Sequence, residues 1–208
     1  MREASDTRRM RAIRRVFLFC CVLACGSALA QSKADPARGA ARAAACGACH
    51  GTGKTPPPER MPSLAGQQPE FLVLQMFIIR EGLREVPEMK GLLNGFSDPD
   101  LNDLAAYFAA QPRRVLGAKP DAKRQARGAE LSKAMGCGSC HMPNYEGQRQ
   151  VPRITHQRED YLAAALKAYR DNKRTGIDTV MNAAMYKVPD ADIEALAHYL
   201  AHWGQGRN

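Results

Sequence analysis

Apolar positions recur at helical spacing in three pairs of segments. Pro36–Ala45 and Ala122–Met135 are Ala-rich, and Pro69–Arg84 and Glu159–Lys173 carry regularly spaced apolar side chains. Asp98–Ala110 and Asp190–Trp203 open on acidic residues suited to a helix N-terminus. They then keep Leu101, Leu104 and Phe108, or Ile193, Leu196 and Leu200, on one face. No alternating pattern of useful length predicts a strand, so the expected class is all-α. The segments repeat. Met61–Gln67 matches Val151–Gln157 at a shift of 90, and at that shift Phe71-Leu72, Arg80 and Arg84 match Tyr161-Leu162, Arg170 and Arg174. Ser97–Leu101 matches Pro189–Ile193 at a shift of 92, and Leu104, Ala105 and Tyr107 continue onto Leu196, Ala197 and Tyr199. Such a period is too long for a solenoid unit and predicts a duplicated small domain. The expected domains are residues 31–112 and 120–208. A proline-bounded basic linker, 113–119, joins them.

The first 30 residues have a different character. Arg8, Arg9, Arg11, Arg14 and Arg15 precede the apolar run Val16–Ala24, and Ala28-Leu29-Ala30 closes the segment. A basic flank, a short apolar stretch and an A-x-A end predict a secretory signal peptide and hence a periplasmic protein. Val22-Leu23-Ala24-Cys25 resembles a lipobox, which leaves open a lipid tether at Cys25. The formal charge of the whole chain is +9. Six basic and two acidic residues leave with the signal, so 24 basic face 19 acidic residues and the charge falls to +5. That bias is too mild for a nucleic-acid partner. In the linker region Arg113, Arg114, Lys119, Lys123, Arg124 and Arg127 read first as a solvated stretch and second as a steering patch for an acidic partner.

Cysteine spacing supplies the chemistry. The mature chain keeps Cys46, Cys49, Cys137 and Cys140, arranged as Cys46-Gly47-Ala48-Cys49-His50 and Cys137-Gly138-Ser139-Cys140-His141. C-x-x-C-H is the attachment signature of c-type haem. Residues i and i+3 share one face of a helical turn, so both thiols reach the vinyl groups on one edge of a macrocycle, and the following His reaches the iron. A zinc knuckle needs four ligands converging on one ion, whereas these pairs lie 91 residues apart. The expectation is two covalently attached c-type haems. A macrocycle also adds apolar volume to domains of about 80 residues, which are small for a core of their own.

A Met thioether as second axial ligand closes the iron site and favours electron transfer over substrate chemistry. Met89 lies eight residues before Ser97 and Met181 eight before Pro189, and no other methionine pair aligns across the repeat. The expected iron ligands are therefore His50 with Met89 and His141 with Met181, with Met185 as the runner-up in the second domain. Pro62 and Pro152 are the candidate carbonyls for the second ring nitrogen of each histidine. His198 and His202 read as surface residues with no further ligand nearby, and His156, aligned with Gly66, as no ligand.

Together, the paired C-x-x-C-H strings, Pro62–Gln67, Met89, Leu92-Leu93 and Ser97-Asp98 resemble the dihaem cytochrome c₄ family over residues 36–203. The resemblance implies two tandem class I cytochrome c domains related by a pseudo-twofold axis, with haem propionates near their interface and His–Met ligation at both irons. It also implies a periplasmic electron carrier serving redox protein partners, membrane-bound oxidase or reductase complexes such as cbb₃-type oxidases. Thr155-His156 in place of Ala65-Gly66, and Val188-Pro189 in place of Phe96-Ser97, depart from the pattern and put the geometry of the second loop in question. The rival readings are the cytochrome subunit of a flavin-dependent sulfide dehydrogenase and a dihaem enzyme with one reactive haem.

Overall fold

A computed structural model describes residues 33–52, 54–114, 119–174 and 179–205. The signal segment and Cys25 lie outside these residues. The first repeat contains α1 (Pro36–His50), α2 (Pro69–Arg80), a 3-10 turn (Pro87–Met89) and α3 (Asp98–Ala109). The second contains α4 (Ala122–Ala134), α5 (Cys137–His141), α6 (Glu159–Arg170), α7 (Thr179–Met185) and α8 (Asp190–Ala201). Among the described residues the only β pairing is an isolated bridge between Gln148 and Val151. No described helix is long and apolar enough to cross a membrane.

Local chemistry sets the helix starts. The Asp35 side chain accepts from Ala37 N at 2.8 Å and Pro36 occupies the first turn, where its missing N–H costs nothing. Asp121 caps α4 in the same way by accepting from Arg124 N at 2.8 Å. Ser97 and Asp100 form a reciprocal capping box at the head of α3. The ends are shorter than the periodicity predicts for α2 and α6. Gly82 (φ 68°) and Asn172 (φ 52°) turn left-handed, and Leu83 N and Lys173 N then bond back to Ile78 O at 2.8 Å and Ala168 O at 2.9 Å.

In each repeat the first and last helices cross at a glycine. A Cβ on Gly39 would lie 2.0 Å from Asp103 O and 2.9 Å from the Tyr107 Cβ. One on Gly128 would lie 2.2 Å from Ala195 O and 2.4 Å from the Tyr199 Cβ. No side chain fits either crossing. Around them, Ala43, Leu72, Leu104, Ala105 and Phe108 form the core of repeat one. Repeat two buries a larger set, including Tyr145, Leu162, Leu166, Met185, Ile193, Leu196 and Leu200.

The repeats meet through their matched loops. Gln67 bonds the backbone N and O of Arg153 at 2.7 and 2.9 Å, and Gln157 bonds the backbone N and O of Ser63 at 2.8 and 2.9 Å. Arg153, which stands where repeat one has Ser63, crosses to Gly66 O at 3.0 Å and Ala65 O at 2.8 Å. The loop departures noted in the sequence leave the backbone alike. Gly66 (φ 63°) and His156 (φ 53°) are both left-handed, and their N–H groups bond Phe108 O at 2.9 Å and Leu200 O at 3.2 Å. His156 Nε2 lies 2.9 Å from Trp203 O, a bond that offsets the strain of a non-glycine residue there.

Candidate functional site

The two C-x-x-C-H strings sit on helical turns reached by different routes. In repeat one, Cys46, Cys49 and His50 form the last turns of the uninterrupted α1. In repeat two, Gly136 (φ 65°) breaks the chain after α4, and Cys137, Cys140 and His141 make up the separate turn α5. All four thiols are free; Cys46 and Cys137 are half-buried and Cys49 and Cys140 exposed. Burial pushes the Cys46 and Cys137 thiols above their usual pKa.

His50 Nδ1 lies 3.0 Å from Pro62 O, and His141 Nδ1 lies 2.8 Å from Pro152 O. A carbonyl only accepts, so each Nδ1 carries a proton, and in the neutral ring Nε2 is then the nitrogen with the lone pair. Burial, partly offset by the Pro62 bond, lowers the His50 pKa and holds the ring neutral. An imidazole fixed in this tautomer beside two thiols is a donor set that fits covalent haem.

The methionines occupy matching but unlike places. Met89 ends the 3-10 turn and is half-buried, with its N–H on Val86 O at 2.8 Å. Met181 lies on α7, half-buried against the core of repeat two. Met185, one turn further along α7, is 2% exposed and belongs to that core.

Arg84, Arg174 and Tyr161 converge from the two repeats. Arg174 Nη1 donates to Tyr161 Oη at 3.3 Å, and Arg84 bonds Gln75. Burial, then the charge of Arg174, lowers the Arg84 pKa. Burial raises the Tyr161 pKa, but the two guanidiniums outweigh it and the net shift is downward. Two cations held together in this way favour an anion between them.

Two expectations change. His198 and His202 are not surface residues: they are 4% and 3% exposed, and Glu159 joins them, with ligating atoms within 4.8 Å of one another. The trio is nevertheless already hydrogen-bonded. Asp121 N donates to His198 Nε2 at 2.9 Å, so His198 Nδ1 holds the proton and donates to Glu159 Oε2 at 2.8 Å. His202 Nδ1 lies 2.9 Å from His198 O, and Arg124 bonds Glu159 Oε1. Both His198 nitrogens are used, so this cluster clasps α4, α6 and α8 rather than holding a cation. The basic cluster is also less free than a solvated linker. Arg113 pairs with Glu146, Arg114 with Lys54 O, Arg124 with Glu159 and Arg127 with Asp192.

The Cytochrome c family profile matches residues 125–203. Cytochrome c4 of Pseudomonas aeruginosa is 39% identical over 181 residues, covering 83% of this chain and 90% of that protein. The chain belongs to the cytochrome c4 family. The crystal structure of reduced recombinant cytochrome c4 from Pseudomonas stutzeri superposes with a TM-score of 0.74 at 34% identity, covering 81% of this chain and 98% of that one. A thiosulfate dehydrogenase electron acceptor of Thiomonas intermedia is 30% identical, covering 76% of this chain and 78% of that protein. Membership makes this chain an all-α, class I c-type cytochrome that takes part in electron transfer and binds covalent haem c.

Proposed function

We propose that this cytochrome is a periplasmic carrier holding two haems, one on Cys46, Cys49 and His50 with Met89 as the second axial ligand, the other on Cys137, Cys140 and His141 with Met181. The observation that carries the reading is the duplicated tie of each histidine's Nδ1 to a proline carbonyl. When bound, the haems supply one-electron ferric–ferrous chemistry. The chain's own residues do the rest. The thiols fix each haem edge, the proline carbonyls orient the imidazoles and raise their basicity, and the thioethers bar small ligands. Arg84, Arg174 and Tyr161 would receive propionate carboxylates at the junction of the repeats. The partners are redox proteins, with a respiratory terminal oxidase as the acceptor.

The likeness to a thiosulfate dehydrogenase electron acceptor supports a second reading, in which the electrons come from a sulfur-oxidising dehydrogenase. Both readings share the same closed sites. The test is an optical spectrum of the exported protein with a carbon monoxide titration of its reduced form. Low-spin haem, a sulfur-to-iron charge-transfer band in the ferric state and no carbon monoxide binding are expected. Ready carbon monoxide binding at either haem would remove Met89 or Met181 as a ligand and favour an enzyme.

A further inference from the structure

Each axial histidine leans on a peptide unit that the opposite repeat grips from behind. The Pro62–Ser63 peptide accepts from His50 Nδ1 through Pro62 O at 3.0 Å, and its N–H donates to Gln157 Oε1 at 2.8 Å. The Pro152–Arg153 peptide accepts from His141 Nδ1 through Pro152 O at 2.8 Å, and its N–H donates to Gln67 Oε1 at 2.7 Å. Each glutamine also sends its Nε2 to the carbonyl of the residue it brackets, at 2.9 Å in both cases. The amide orientations are therefore forced, because a flipped side chain would set donor against donor. Gln67 and Gln157 are 5% and 4% exposed, so water does not compete for these bonds.

The two ends of a peptide unit are electronically joined. An acceptor on the N–H pushes density onto the carbonyl oxygen, and linked hydrogen bonds strengthen one another by about 10–30% per bond. A stronger carbonyl acceptor draws the Nδ1 proton and makes the imidazole a better donor at Nε2. We propose that Gln67 and Gln157 are positioning residues that tune the axial histidine of the opposite repeat, so that each half of the molecule sets the potential of the other half's haem. The inference rests on the proposed ligation by His50 and His141.

The test uses the haem-loaded protein and the Gln157→Leu and Gln67→Leu variants. Two readouts apply: the two midpoint potentials, assigned by nuclear magnetic resonance of the axial histidines, and the 15N shift of each histidine ring. Losing the acceptor weakens the donor, disfavours ferric iron and raises the potential. Gln157→Leu is expected to raise the ferrous-to-ferric ratio of the His50 haem at fixed applied potential by roughly tenfold, about 59 mV, and to leave the His141 haem within about twofold. Gln67→Leu is expected to do the converse. If the apolar variants fail to fold, Gln157→Asn and Gln67→Asn, which keep the amide but shorten its reach, test the same claim. The weakened acceptor is expected to raise the opposite potential, by less than leucine does.

Crossed shifts of these signs support the proposal. Potentials that stay put, move together, or move only in the mutated repeat overturn it, because a merely structural contact predicts one of those. Failure of the unmutated protein to show two histidine-ligated haems would instead overturn the functional reading beneath it.

Discussion

Repeat one carries its C-x-x-C-H turn as the end of an unbroken helix of 15 residues, whereas repeat two sets it apart as a five-residue turn behind a left-handed glycine. The same contrast runs through the clasp that holds the first helix to the last. In repeat one Asp103 accepts from Asp35 N at 2.7 Å and pairs with Arg38, so a carboxylate does the work. In repeat two the matching N–H, on Asp121, is taken by a neutral His198 backed by Glu159 and Arg124. The histidine–carbonyl distances nonetheless agree to within 0.2 Å. The geometry at the histidine is alike in the two repeats, and the scaffold that delivers it differs.

The glycine crossings are what the two halves share most rigidly, and changing them breaks the comparison hardest. Gly39→Ala and Gly128→Ala each drive a Cβ into a backbone carbonyl, with an expected cost of about 3 kcal/mol or more. Thermal unfolding of the haem-loaded variants checks this. A loss below about 1 kcal/mol would mean that the helices slide apart freely.

The carboxylate clasp of repeat one should respond to acid. Arg38 leads the groups that hold the Asp103 carboxyl below its usual pKa, so the stability it confers is present above the ordinary carboxylate range and is lost as pH falls through its lowered value. Asp103→Asn should therefore be less stable than the parent at neutral pH, and the difference should shrink below about pH 4 in acid-unfolding curves. His198→Ala removes the acceptor of the Asp121 N–H and empties the buried place of a side chain that also bonds Glu159, and should cost about 1–3 kcal/mol at neutral pH, measured by denaturant unfolding. A difference between Asp103→Asn and the parent that persists unchanged through acid would contradict the role given to the Asp103 carboxylate.

Much of the architecture was readable from the chain, and the reasons are local. Paired helices showed themselves by period, and the cysteine strings by a spacing that few other chemistries need. Each proline falls near its histidine in the chain, so that pairing was accessible as well. What stayed hidden depends on juxtaposition. His198 and His202 looked like a solvent pair because their buried partner, Glu159, lies on another helix. Gln67 and Gln157 stood in matched strings, and their identity amid changed neighbours was a usable signal, but their reach across the repeats was not legible. Gly39 and Gly128 also carried a signal, as glycines at the same place in Ala-rich helices, which only the crossing explains.

Smaller effects sharpen the contrast in the loops. Gly136→Ala places a Cβ in the left-handed region and should cost about 1–2 kcal/mol, confined to repeat two. His156→Gly relieves a like strain but gives up the bond to Trp203 O, so unfolding should shift by less than about 1 kcal/mol. A large loss there would show that the bond to Trp203 outweighs the strain.

The central claim is that both turns carry covalent haem. Intact-mass measurement of the exported protein tests it most directly, alongside the Cys46→Ala/Cys49→Ala and Cys137→Ala/Cys140→Ala double variants. The account predicts a mass increase of two haems in the parent and of one haem in each variant. A parent carrying a single haem, or a cysteine pair recovered as a disulfide, would contradict it.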